Sequence, residues 1–167
     1  GENKDWHLVF VGFKNDGSKY EESVKSYIDE NGLQDTVACL EGKYGKDMEA
    51  CYRNCDAFVL PSFSEGASIA VLSAWAFSKP VIATDECGFP DAALNGCAIK
   101  IEPTMNSVQL GIAECIEMNE SERSVMGQKG LRLVTEKYSW EVVAKEITNV
   151  YKWIISKDHD RPDSMLD

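Results

Sequence analysis

Between Phe58 and Asp91 the chain reads FVLPSFSEGASIAVLSAWAFSKPVIATDECGFPD, an apolar strand, a glycine-bearing loop, an apolar helix, a proline, a second strand and a second glycine-bearing loop. A strand, helix, strand order favours a parallel pair with the helix packed across it, which confines the chain to an α/β fold. Both loops follow the carboxyl ends of their strands, where open parallel sheets place ligand crevices. The first loop also leads into a helix whose amino end can hold an anion. A phosphate-bearing small molecule is the ligand class this plan favours.

The flanking sequence extends the same alternation. Residues 6–11 (WHLVFV) form a nearly continuous apolar run ended by Gly12, as in a strand buried on both faces. From Ser18 to Glu30 the residues Tyr20, Val24, Tyr27 and Ile28 recur near helical period, predicting an amphipathic helix that covers the sheet and stops at Asn31-Gly32. A short strand over 37–40, a helix over 47–54 and a strand over 57–60 precede the loop. Ile69 to Phe77 reads as a helix capped by Ser68, residues 81–84 and 98–101 as strands, and 108–118, 122–137 and 140–156 as helices. The expected architecture is a Rossmann-like three-layer α/β/α sandwich around a parallel sheet, one domain over 1–157 followed by a polar tail, 158–167.

At 167 residues and 44% hydrophobic content the chain can bury one sizeable core. Its 28 acidic against 17 basic side chains give a net charge of −11, which repels phosphate backbones and argues against nucleic-acid or anionic-membrane partners. No apolar run has the length of a membrane span and residues 1–8 do not resemble a signal peptide, so the expected location is cytoplasmic. The six cysteines sit in apolar or helical surroundings and read as reduced core residues. Cys51 and Cys55 lie four apart on a helix, but only His7 and His159 are available beside them, so no metal site is expected.

Two loops carry the chemistry. In residues 61–68 (PSFSEGAS), Pro61 ends the strand, Gly66 allows positive φ or close backbone approach, and Ser68 begins a helix whose first amides lack internal partners. Such amides suit a diphosphate. Glu65, an acceptor-only carboxylate, suits neutral hydroxyls, so a sugar joined to a diphosphate meets both demands. An equally open alternative makes Glu65 a helix cap that complements the dipole. In residues 84–91 Gly88 permits a sharp turn, and Asp91 is either a ligand contact or an N-cap. Trp75 and Phe77 are expected in the core rather than in base stacking.

This series resembles the nucleotide-sugar-binding signature of retaining glycosyltransferases of the family 4 (group 1) type, which have two facing Rossmann-like domains, the GT-B fold. The family's pattern of Pro-Ser, Glu-Gly, an alanine-rich helix, Pro-Val-Ile-Ala-Thr and Gly-x-Pro is matched at Pro61, Ser62, Glu65, Gly66, Ala74, Ala76, Pro80 to Thr84, Gly88 and Pro90. The strand at Leu8 to Gly12, Met126-Gly127 and Tyr138-Ser139-Trp140 resemble its flanking motifs. The resemblance implies the donor-binding, C-terminal half of such an enzyme. UDP-, GDP- or ADP-sugar would be the donor and no cofactor would be required. It makes Glu65 the residue at the donor sugar, and Gly66, Ala67, Ser68, Ile69, Ser73 and Gly88 the donor-binding positions.

The departures matter as much. Ser73 stands where the family has a glutamate that holds the ribose, Ser68 and Ser78 where it has glycine, and Asp91 where it has glutamate. The family's first strand and helix, with an arginine and a lysine for the diphosphate, have no counterpart, nor has the N-terminal domain that binds the acceptor glycan or lipid. The chain alone is therefore expected to be inactive, with its sheet gapped or altered where the first strand would lie. In the complete enzyme the cytoplasmic site could lie at the inner face of a membrane. A noncatalytic interaction or regulatory module that has kept the fold is the alternative. The stripe Trp140, Val143, Ile147, Val150, Tyr151 and Ile154 on the last helix is expected to be exposed and to drive self-association.

Overall fold

The computed structural model describes residues 6–13, 17–89 and 92–156, so Pro90, Asp91 and the polar tail 158–167 lie outside the described residues. The chain divides into two compact units, Gly1–Cys51 and Tyr52–Asp167. Among the described residues no helix is long and apolar enough to cross a membrane.

In the first unit β1 (Leu8–Phe13) and β2 (Val37–Glu41) are parallel and joined through α1 (Lys19–Glu30). The strand runs through Gly12, at φ +121°, and its register slips between Val11 and Phe13. Two expectations fail here. Leu8, Val9, Phe10 and Val11 are 40–47% exposed rather than buried on both faces, and among the described residues β1 is bonded to β2 alone. Likewise α1, capped by the Ser18 hydroxyl at 3.3 Å from the Glu21 amide, buries no residue. An apolar stripe needs a partner surface, and the described part of this unit offers none.

The core lies in the second unit. α2 (Gly45–Asn54) runs across the division and leads to β3 (Phe58–Leu60), α3 (Ile69–Ala76), β4 (Val81–Ala83) and β5 (Ala98–Lys100). The three strands are parallel in the order β3-β4-β5. Alternation along them sorts two apolar clusters. Val81 and Ala83 face Val71, Ala74 and Trp75 of α3, while Ile82 and Ile99 face Cys115 of α4 (Met105–Glu117). Helix, sheet and helix make three layers, as the sequence predicts. Trp75 is fully buried and Phe77 stacks on Tyr52 with centroids 5.8 Å apart, so both rings are packing residues. Among the described residues the first unit holds the sheet β1-β2 and the second the sheet β3-β4-β5.

α5 (Glu120–Leu133) begins two residues before the expected start because Asn119 and Glu122 form a capping box, with bonds of 3.0 and 2.8 Å. The helical hydrogen bonding then loosens into a π-turn, Val134–Tyr138, before α6 (Trp140–Ser156). Between α3 and β4 the chain turns at Ser78, whose φ of +56° is a conformation that glycine adopts without strain. Gly127 of α5 packs against that turn, and a Cβ there would overlap the Ser78 carbonyl. The Met126-Gly127 motif is thus a packing requirement. All six cysteines are free thiols, and Cys87, Cys97 and Cys115 are buried.

Candidate functional site

The two loops after β3 and β4 are fastened to each other. The Thr84 side chain, buried at the end of β4, donates its hydroxyl to the Ser62 carbonyl at 2.7 Å. One residue on, a 3-10 turn over Asp85–Cys87 presents the Cys87 carbonyl to the Ser68 amide at 3.1 Å. Gly88 follows at φ +87°, and a Cβ there would overlap the carbonyl of Gly66. The glycine is needed twice, for the left-handed turn and for the close approach of the first loop.

Phe89 anchors the second loop. Its ring meets Trp75 edge-on at 5.1 Å and Tyr138 of the π-turn at 5.3 Å. Trp75 in turn donates its indole N–H to the Cys97 carbonyl at 3.0 Å. A buried polar edge and three interlocked rings therefore hold the Gly88-Phe89 segment against α3.

On this scaffold Glu65, Gly66 and Ala67 are exposed in the loop that follows β3. The Glu65 carboxylate accepts the Ser62 hydroxyl at 3.3 Å. No acidic residue lies in the first turn of α3, and the side chain of its N-cap, Ser68, makes no capping bond. The N-cap residue of α3 is therefore Ser68, three residues after Glu65. Ser68 occupies the N-cap position with its hydroxyl unused there, so the expected side-chain cap is absent.

The anion cradle also differs from expectation. The Ser68 amide is committed to Cys87, which leaves Gly66 and Ala67 of the three expected backbone donors, together with the first turn of α3 beginning at Ile69. Gly66 is not at positive φ, and a Cβ on it would meet open space, so its own conformation does not demand glycine. Ser73 lies one turn along α3 from the exposed Ile69 and is half-buried. Glu65, Gly66, Ala67 and Ile69 are thus exposed on the approach to α3 and the loop at Gly88 packs against Gly66, while Ser68 is buried and Ser73 is half-buried within α3. Asp91 lies outside the described residues.

Sequence reasoning missed three supports. Thr84 and Ser62 were legible as parts of a motif, but not their bond to each other. Lys100, the one cation in β5, pairs with Asp85 at the start of the 3-10 turn. The hydrogen bond that Lys100 donates to the Asp85 carboxylate, and then that carboxylate's charge, hold the ammonium above its ordinary range. Because both groups are exposed, the pair positions the turn more than it stabilises the fold. Among the described residues no three His, Cys, Asp or Glu side chains gather to hold a metal ion. Asp158-His159-Asp160, an acidic pair of the Asp-x-Asp type, lies outside them.

Chemically, the loop after β3 offers an exposed carboxylate that can accept from hydroxyls and backbone N–H groups that can donate to an anion. Comparison with known proteins agrees with this fold. An uncharacterised glycosyltransferase of Methanocaldococcus jannaschii is 30% identical over 152 residues, which span 89% of this chain and 41% of that protein. The chain spans less than half the length of the curated relatives it matches. The C-terminal domain of a Francisella tularensis glycosyl transferase group 1 protein, LpcC, superposes with a TM-score of 0.70 at 25% identity, covering 83% of this chain and 73% of that one. HepE of Anabaena, solved in complex with UDP-glucose, superposes with a TM-score of 0.74 at 19% identity over 87% of this chain and 40% of that one. The model of the glycosyl transferases group 1 family matches residues 1–133. The chain is a glycosyltransferase domain of GT-B type and belongs to the glycosyl transferases group 1 family.

Proposed function

We propose that this chain is the donor-binding domain of a retaining glycosyltransferase, acting over residues 1–157, and that its donor is a UDP-, GDP- or ADP-sugar. The observation that carries the reading is the freedom of Glu65. Its exposed carboxylate accepts one hydrogen bond, from Ser62, and the N-cap of α3 is Ser68, so in this reading Glu65 accepts sugar hydroxyls while backbone N–H groups face the diphosphate. The UDP-glucose complex of the structural neighbour supports the ligand class, and the uninterrupted family match across the two units supports a single functional domain.

In this reading the chemistry is transfer of a glycosyl group to an acceptor hydroxyl, with the nucleoside diphosphate leaving. Backbone donors at Gly66, Ala67 and Ile69 stabilise the charge that develops on the diphosphate, which is worth more in a water-poor cleft than in bulk water. Gly88 lets the second loop close against the first. Acceptor binding and the remainder of the cleft belong to parts of the enzyme outside this chain, which is inactive alone.

Calorimetric titration of the three nucleoside diphosphates and their sugars into wild type and Glu65→Ala is the test. One nucleotide sugar should bind and lose affinity in the variant, while its parent nucleotide is little affected. A second reading, a noncatalytic module, is favoured by Ser73 in the ribose position and by the commitment of the Ser68 amide to Cys87. Absence of binding by the intact polypeptide to every donor would select it.

A further inference from the structure

Most aromatic rings around the crevice are committed to packing. Trp75, Phe89 and Tyr138 form one chain of ring contacts, and Tyr52, Phe58 and Phe77 form another. Phe63 belongs to neither. It is 80% exposed, in the loop that follows β3, two residues before Glu65.

The loop that carries it is well fastened. Ser62, its immediate neighbour, is bonded through its carbonyl to Thr84 at 2.7 Å and through its hydroxyl to Glu65 at 3.3 Å. The Glu65 carboxylate is thereby drawn back toward the residue next to Phe63. An apolar ring and an acceptor-only carboxylate thus rise from one short turn, and the ring is left in water although the backbone beneath it is tied to the next strand.

The pair matches a ligand with two kinds of surface. A pyranose has hydroxyl groups around its edge and a face of C–H bonds, so it can donate to Glu65 while covering an aromatic ring. A phosphate would be repelled by the carboxylate. A nucleobase would cover the ring without needing an acid that accepts several hydroxyl protons.

We propose that Phe63 is a specificity-determining residue that stacks against the sugar of the bound nucleotide-sugar donor, beside Glu65. The assignment rests on the donor-site reading above and adds the residue that recognises the sugar's apolar face. Its signature is the difference in affinity between a nucleotide sugar and its parent nucleoside diphosphate.

The experiment titrates UDP-glucose, GDP-mannose and ADP-glucose, each beside UDP, GDP or ADP, into the intact polypeptide as wild type, Phe63→Ala and Phe63→Tyr. With the ring removed, the preferred nucleotide sugar should bind about tenfold more weakly while the parent nucleotide is unchanged. Phe63→Tyr, which keeps the ring, should retain wild-type affinity. Thermal unfolding should be nearly the same in all three proteins, since the ring is 80% exposed. Equal weakening of nucleotide and nucleotide sugar would assign the ring to the base and overturn the proposal. Unchanged affinities for both would overturn it while leaving the donor site standing. A wild type that binds none of the six ligands overturns the donor reading and this assignment with it.

Discussion

Gly127→Ala tests the packing seam on which the crevice stands. Gly127 and Gly130 are buried three residues apart on one face of α5. A Cβ at 130 would overlap the indole of Trp75, and one at 127 would overlap the Ser78 carbonyl. In an open helix interior alanine is favoured over glycine by about 0.8–1 kcal/mol, so the sign depends on whether the turn at Ser78 can yield. It is poorly placed to do so. Ser78 already sits at φ +56°, and its turn is closed by bonds of 2.8 Å from Ser78 to Trp75 and 2.9 Å from Lys79 to Ala74. The helix must withdraw instead, which loosens its contact with the fully buried Trp75. Overpacking of this kind costs about 1–3 kcal/mol, and the lost Trp75 contacts add to it. After the helix-propensity gain is subtracted, a net loss of about 2 kcal/mol remains. At about 4 °C per kcal/mol for a domain of this size, the melting temperature falls by about 8 °C. Thermal unfolding followed by circular dichroism measures this, with Gly66→Ala as control because its Cβ meets open space. A Gly127→Ala protein that melts at or above wild type would refute the seam.

Ser78→Gly should raise stability by about 0.5 kcal/mol, because relief of left-handed strain slightly exceeds the added unfolded-state entropy; a lower urea midpoint would contradict it. Tyr138→Leu should lower stability by about 1 kcal/mol through loss of its ring contact with Phe89, read as a shift in urea midpoint at constant slope. Burial pushes the Cys97 and Cys115 thiols up, with Lys129 and Arg123 partly opposing it. The folded state therefore keeps these protons longer than the unfolded one, and their contribution is present below the unfolded thiol range and lost as pH rises through it toward the folded values. Thiol labelling of Cys97 and Cys115 in the folded protein should begin at higher pH than in the urea-unfolded chain, and a common onset would refute the assignment. On α6, Trp140, Tyr151, Ile154 and Ile155 are 55–84% exposed, so the chain should self-associate with concentration and Ile154→Lys should suppress it. Light scattering that shows a monomer at high concentration counts against this.

The three-layer plan was legible because the strands, loops and helices between Phe58 and Lys100 are short and sharply punctuated. Pro61, Gly66, Pro80 and Gly88 mark the transitions, and two of them mark the site. What the sequence did not disclose is how backbone groups pair off. Nothing in residue type says that the Ser68 amide goes to Cys87, or that Glu65 accepts from Ser62. The first outcome depends on the close approach of two loops, which Gly88 permits, and the second on a bond within one loop. The π-turn was hidden for a similar reason, since residues 122–137 keep a helical pattern while the hydrogen bonding changes beneath it.

The reading of β1 failed for a different physical reason. An apolar run without alternation predicts two covered faces, and Leu8 to Val11 make such a run. Yet no described residue of the first unit is buried, and β1 has one bonded edge. Sheets ordinarily protect a bare edge with charge, proline or a bulge; none of these four residues is charged or proline, and the only irregularity lies beyond them, between Val11 and Phe13. Apolarity records the surroundings in which a strand is stable, and the described residues supply only part of them. Amide hydrogen exchange separates the two units on this basis. Val81 to Ala83, buried on both faces, should exchange only through global opening, whereas Leu8 to Val11 should exchange through local opening at much lower cost. Equal protection of β1 and β4 in this chain would mean that β1 is covered after all, and the argument from its exposure would fail.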